Sequence, residues 1–291
     1  MNSRVAVLLA TAVLASFALS VRAFVPPSLP RTPPAPTSRP TTVPSSQPET
    51  PPVRFIRKAD TLARRLAVAH GIEAWRAIDA VAVELTVTLG GETVIDGTMV
   101  YDPRDGRVRI ENRDGVTMVF DGRRAWVSPP ETELPPGPRF HLLTWPYFLA
   151  VPFKLHDPGA RRADHRLRSR GSQLCETFRL TFESGTGDTP DDWYIVYGET
   201  TPGGRLVAMA YTITYGGEPG EREPHAIEYS DFRETAGVTL AHRWVFRAWD
   251  EDAGPHGDAL GEVNLRNVRF LTPNDHTFSR PDDAEEDPLP N

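Results

Sequence analysis

The chain has 291 residues, enough for one large domain or two ordinary ones, with 32 Lys+Arg against 39 Asp+Glu and a net charge of −7. An acidic chain lacks the basic surface that sequence-independent nucleic-acid binding needs, so no nucleic-acid partner is expected. Hydrophobic residues make up only 39% against 29 prolines, and the lone Cys175 excludes an internal disulfide framework and any cysteine-rich metal site.

The first 23 residues have the layout of a secretory signal peptide. Arg4 is followed by an apolar run from Val5 to Leu19, and Val21-Arg22-Ala23 supplies small residues at the cut. The alternative is an uncleaved membrane anchor, because the run is only slightly too short to span a bilayer. Export to the periplasm or cell envelope follows from either reading. Residues 24–53 then form a linker, in which prolines 26, 27, 30, 33, 34, 36, 40, 44, 48, 51 and 52 mix with Ser and Thr. Such composition favours extended, stiff spacers and leaves nothing to bury.

Residues 54–279 are expected to form the folded domain. Phe55, Ala59, Leu62, Ala63, Leu66 and Ala69 recur at helical spacing, with Gly71 as C-terminal cap, and Ile72, Trp75 and Ile78 mark a short second helix. Period two then takes over. Val81, Val83, Leu85, Val87 and Leu89 alternate with smaller or polar residues, Gly90-Gly91 turns the chain, and Val94–Tyr101 returns. Three more turn dipeptides, at Asp105-Gly106, Asp114-Gly115 and Asp121-Gly122, separate short strands. Strands resume at Phe178–Phe182, Trp193–Tyr197, Val207–Tyr215, Ile227–Phe232, Val238–Trp249 and Leu260–Phe270, giving about eleven. Turns this short join antiparallel neighbours.

Phe140–Leu155 breaks the alternation. It is apolar in every direction and interrupted by Pro146 and Pro152, which predicts one or two short helical turns lying against, or inside, the sheet, as ordinary core or as a lid over a cavity. The arginines at 161, 162, 166, 168 and 170 read as a solvated loop, with contact to lipid headgroups or phosphate as the alternative. Asp282–Asp287 closes the chain, and residues 280–291 are expected to be a disordered acidic tail. The predicted fold is mainly β: a large curved antiparallel sheet, an open half-barrel, with the N-terminal helix and the short helical lid on its concave side.

No Gly-x-Ser-x-Gly, His-Glu-x-x-His, P-loop or dinucleotide motif occurs, so no catalytic residue, metal or cofactor is assigned and a non-enzymatic role is expected. His242 shares an alternation face with Val238, Leu240, Trp244 and Phe246 and reads as a buried core histidine; Cys175 reads as a small buried residue. Asp250, Glu251, Asp252 and Asp258 could ligate Ca²⁺ but also suit a hairpin turn.

The order of these signals resembles the LolA/LolB-like periplasmic lipoprotein-carrier superfamily, notably the bacterial outer membrane lipoprotein-sorting protein-like members. The resemblance is carried by His70-Gly71-Ile72-Glu73-Ala74-Trp75, Tyr101-Asp102-Pro103-Arg104, Phe120–Trp126, Leu149–Leu155 and Asp192–Tyr197. It implies a hydrophobic cavity that shields acyl chains, and no functional residue is carried over from it. The expected function is binding of a lipid, a lipidated protein or another apolar ligand, with a membrane surface as a further partner. Trp126, Phe140, Leu143, Trp145, Phe148, Leu149, Phe153 and Tyr211 are the candidate cavity and lid residues. A structural or protein-interaction module of the envelope, and an extracytoplasmic hydrolase, are the alternatives.

Overall fold

The computed structural model describes residues 53–183, 193–212 and 223–287. The expected signal peptide and, apart from Val53, the expected linker lie outside the described residues, as do Ile213 and Tyr215 of the expected strand Val207–Tyr215. Two N-terminal helices, α1 (Val53–Ala69) and α2 (Ile72–Arg76), precede strands β1 (Ala80–Leu89), β2 (Glu92–Tyr101), β3 (Val108–Asn112), β4 (Thr117–Phe120) and β5 (Ala125–Ser128). Helix α3 (Pro138–Lys154) follows. Then come β6 (Ala160–Arg170), β7 (Gln173–Phe182), β8 (Trp193–Gly198), β9 (Leu206–Thr212), β10 (His225–Thr235), β11 (Val238–Asp250), β12 (Gly254–Leu271) and β13 (Glu285–Asp287).

All thirteen strands belong to one antiparallel sheet. Its order runs β13-β5-β4-β3-β2-β1-β12-β11-β10-β9-β8-β7-β6, so β13 and β6 are its edges and do not pair with each other. This is an open half-barrel, as the alternation predicts. Two of the thirteen strands were not expected. The arginine run forms β6, because each arginine has a carboxylate within reach and the segment pairs with β7 from Ala160↔Phe182 to Arg170↔Gln173. The acidic tail is not a disordered segment over its described part: Glu285–Asp287 add to the edge of β5, with Glu286 opposite Trp126.

The concave face carries the main core. Val81, Val83, Leu85, Val87 and Leu89 of β1 point there with Phe178 and Leu180 of β7, Trp244 and Phe246 of β11, and Val263 and Leu265 of β12. Helix α1 closes one side of it with Ala59, Leu62, Ala63 and Leu66. The turn between α1 and α2 is fixed at Gly71, whose φ is 83°. A Cβ there would stand 1.9 Å from the carbonyl oxygen of Gly237 in the β10–β11 turn. Only glycine fits both demands.

The convex face has its own smaller clusters. Trp249 reaches across the small side chains Ala208, Ala210 and Ala226 and donates its indole N–H to Tyr197 Oη at 2.7 Å. Arg168, 6% exposed, bridges this face by hydrogen bonds to Thr177 Oγ1 at 2.6 Å and Glu251 Oε1 at 2.7 Å. Cys175 is buried in the same cluster.

Candidate functional site: a helix inside the half-barrel

Helix α3 occupies the concave space. It is one continuous helix of 17 residues, and not the one or two short turns expected from its prolines. Every residue from Pro138 to Phe153 is buried, which explains why its apolar residues show no polar face. Gly137 and Pro138 start the helix, and Pro138 supplies the preset φ of a first helical position.

Of the two internal prolines, Pro152 has a visible compensation. Pro152 has no N–H to offer the carbonyl four residues earlier, that of Phe148. That carbonyl instead accepts a hydrogen bond from Tyr229 Oη of β10 at 3.2 Å. The sheet thus completes the helix at the position where the sequence breaks it.

Rings fix the helix along its length. Phe153 stacks on Trp75 of α2 at 4.2 Å between centroids, and Phe148 meets Tyr211 at 5.7 Å and Phe246 at 6.3 Å. Near the N-terminus Phe140 and Trp145 meet edge to face at 5.9 Å. Trp145 Nε1 donates to His141 Nδ1 at 3.2 Å, and His141 Nε2 donates to the carbonyl of Pro135 at 3.2 Å. A ring that accepts at one nitrogen and donates at the other is neutral, and burial pushes the pKa of His141 down to about 4.

Each end of α3 is tied by a charge. Asp287 of β13 accepts from the backbone N–H of Arg139 at 2.7 Å, satisfying one of the free N–H groups of the first turn, and burial raises its pKa. At the other end Lys154 pairs with Asp157 at 3.2 Å. A carboxylate at the N-terminus and an ammonium at the C-terminus both suit the helix dipole.

Phe140, Leu143, Trp145, Phe148, Leu149, Phe153 and Tyr211 are all buried together in the concave core. Trp126 is not among them. Period two sends Ala125 and Val127 of β5 inward, so Trp126 points to the convex face, where it packs with Val119 and with Ala284 of the tail. A four-residue strand covered on both sides does not reveal in sequence which face is inside. The sequence also leaves unassigned His70, His141, Tyr229 and Trp244. The spacing of four between His141 and Trp145 carries the signal for one of these contacts, masked by reading Pro146 as a break.

The space left beside α3 is small. A cavity of about 10 Å³, room for about one water, opens at the Pro152 end between Phe148, Tyr229, Phe232, Leu240 and Trp244, with His70 on its rim. His70 donates from Nδ1 to Thr239 O at 2.8 Å and accepts the N–H of Leu206 at Nε2 at 3.1 Å, and burial lowers its pKa to about 4. It joins the end of α1 to β9 and β11. His242 is buried, as its alternation predicts, with Nδ1 3.1 Å from Leu265 O.

The other candidate groups serve local structure. Asp250 caps its own turn through the N–H groups of Asp252 and Ala253, and among the described residues no three His, Cys, Asp or Glu side chains gather to hold a metal ion. Among the described residues no helix is long and apolar enough to cross a membrane.

No family model and no curated protein matches the sequence. Among the solved structures to which the chain is similar are two from bacteria. A LolA superfamily protein from Nitrosomonas europaea is 11% identical with a TM-score of 0.47, the match covering 76% of this chain and 97% of that one. A DUF1329 family protein from Desulfovibrio piger is 10% identical with a TM-score of 0.46, covering 77% of this chain and 97% of that one.

Proposed function

We propose that this chain is a non-enzymatic carrier of an apolar ligand, a lipid or a lipidated chain, which takes the place of α3 side chains inside the half-barrel. One observation carries this reading: the concave wall is filled by a single helix, buried on all sides, and not by closure of the strands. A wall of this kind stays apolar whether helix or acyl chain covers it. The small cavity at the Pro152 end borders Phe148 and Leu149 of α3, so a chain displacing those side chains would extend it. The two histidines that burial holds neutral, His70 and His141, are each committed to structural hydrogen bonds and do not converge on an open cleft, which favours binding over catalysis.

Export completes the proposal. Cleavage after Ala23 would leave Phe24 as the first residue, with the proline-rich segment as a tether in the envelope. N-terminal sequencing of envelope-localised protein checks this, and an intact Met1 or Asn2 supports the anchored form.

The near-complete filling of the interior favours a second reading, a packed protein-interaction module. Titration of delipidated protein with lysophospholipids of increasing chain length, followed by tryptophan fluorescence, separates the two. Each buried methylene contributes about 0.8 kcal/mol, so a carrier gains roughly tenfold in affinity per two carbons until the space is full. Absence of saturable binding at every length leaves the packed module.

A further inference from the structure

Among the described residues three large apolar side chains are strongly exposed: Val68 at 64%, Leu167 at 54% and Leu174 at 54%. They lie on two elements that pack together, α1 and the β6–β7 hairpin, and they surround one ion pair. Arg65 of α1 bonds Glu176 of β7. Leu167 is the register partner of Glu176, Leu174 is two residues along β7 on the same side of the pleat, and Val68 is one helical turn beyond Arg65.

The charge on this face is as distinctive as its apolarity. Helix α1 holds five basic residues and one acidic residue in a chain of net charge −7. Its exposed stripe is Lys58, Thr61, Arg64 and Val68, at spacings of three, three and four. Asp60 is held by Arg162, and Glu176 by Arg65 and His165. No carboxylate of a described residue pairs with Lys58 or Arg64. By contrast, the arginine run of β6 is neutralised by Asp60, Asp164, Glu183, Glu228 and Glu251.

We propose that this face docks on an anionic lipid bilayer. Val68, Leu167 and Leu174 enter the boundary between headgroups and acyl chains, while Lys58 and Arg64 meet lipid phosphates. A protein strand is a poorer occupant, although β6 is a sheet edge. Its ladder is interrupted by a bulge between Ala163 and Arg166, Asp164 has a φ of 53°, and edge arginines oppose strand addition. Docking here does not depend on α3 leaving the half-barrel, so it stands or falls separately from the carrier reading.

The test places an environment-sensitive nitrobenzoxadiazole label on Leu167→Cys in the full-length chain with Cys175→Ser, which removes the one native thiol. The label reports local insertion whatever else holds the chain to a vesicle. With vesicles of phosphatidylcholine and phosphatidylglycerol the emission shifts to the blue; with phosphatidylcholine alone it does not. Lys58→Gln with Arg64→Gln raises the lipid concentration for half-maximal shift by on the order of twentyfold, about fivefold per charge, and 0.5 M salt has a similar effect. A water-like emission on both vesicles overturns the proposal. So does an equal shift on neutral vesicles, insensitive to the charge variants, or a shift that follows protein concentration without lipid.

Discussion

Tyr229 shows how one hydroxyl decides whether a proline is tolerated. The Phe148 carbonyl, deprived of its partner by Pro152, is buried and depends on Tyr229 Oη. Tyr229→Phe keeps the ring and removes that buried hydrogen bond, at a cost of about 1–3 kcal/mol. Chemical denaturation should show this loss with little change in the slope, since the exposed surface on unfolding is the same. Two histidines act at the same scale through pH. His70 and His141 are held neutral, with folded pKa values of about 4 against 6.5 unfolded, so below pH 6.5 the unfolded chain binds more protons than the folded one. Stability is present in full above pH 6.5 and falls as pH drops towards 4, by about 1.4 kcal/mol per pH unit for each histidine once well below 6.5. A melting temperature that stays flat between pH 6.5 and 4.5 contradicts these assignments. His141→Asn should make the decline shallower at the cost of a lower starting stability.

At the scale of elements, the tail is a strap. Glu285–Asp287 extend β5, Ala284 covers Trp126, and Asp287 satisfies the first turn of α3. Deleting residues 281–291 removes all three at once. The expected loss is about 2–4 kcal/mol, roughly 5–10 °C in melting temperature for a domain of this size, with Trp126 fluorescence shifted to the red. A variant that melts like the intact chain would mean the strap is dispensable. The tail's strand was not legible because acidic composition alone describes a solvated segment. Its partners, Trp126 and the N-terminus of α3, are more than a hundred residues away in sequence. The length of the central helix is hidden in the sequence for a related reason. Pro146 and Pro152 are breaks to local propensity, and only the tertiary partner on β10 reverses that rule for Pro152.

For the whole molecule, the open sheet and its inward face were legible because period two persists over long stretches. From Val81 to Leu89 every second residue is buried in the concave core, as the alternation requires. What the sequence could not separate was the two faces, since both are covered in places. Trp126 and the Cys175–Trp249 cluster belong to the convex side and resemble interior residues in sequence. The N-terminal segment, proposed as a tether, leads to a simple expectation. Deleting residues 26–52, which carry no periodic apolar face, should leave the melting temperature of the domain unchanged, and a drop of several degrees would show that they pack on it. The central claim is that α3 yields its place to an apolar chain. Hydrogen exchange of the delipidated protein, with and without saturating lysophospholipid, tests it most directly. The account predicts that amides of residues 138–154 lose protection when ligand binds, while those of β1, β11 and β12 keep theirs. Saturable binding with α3 as protected as before would contradict it.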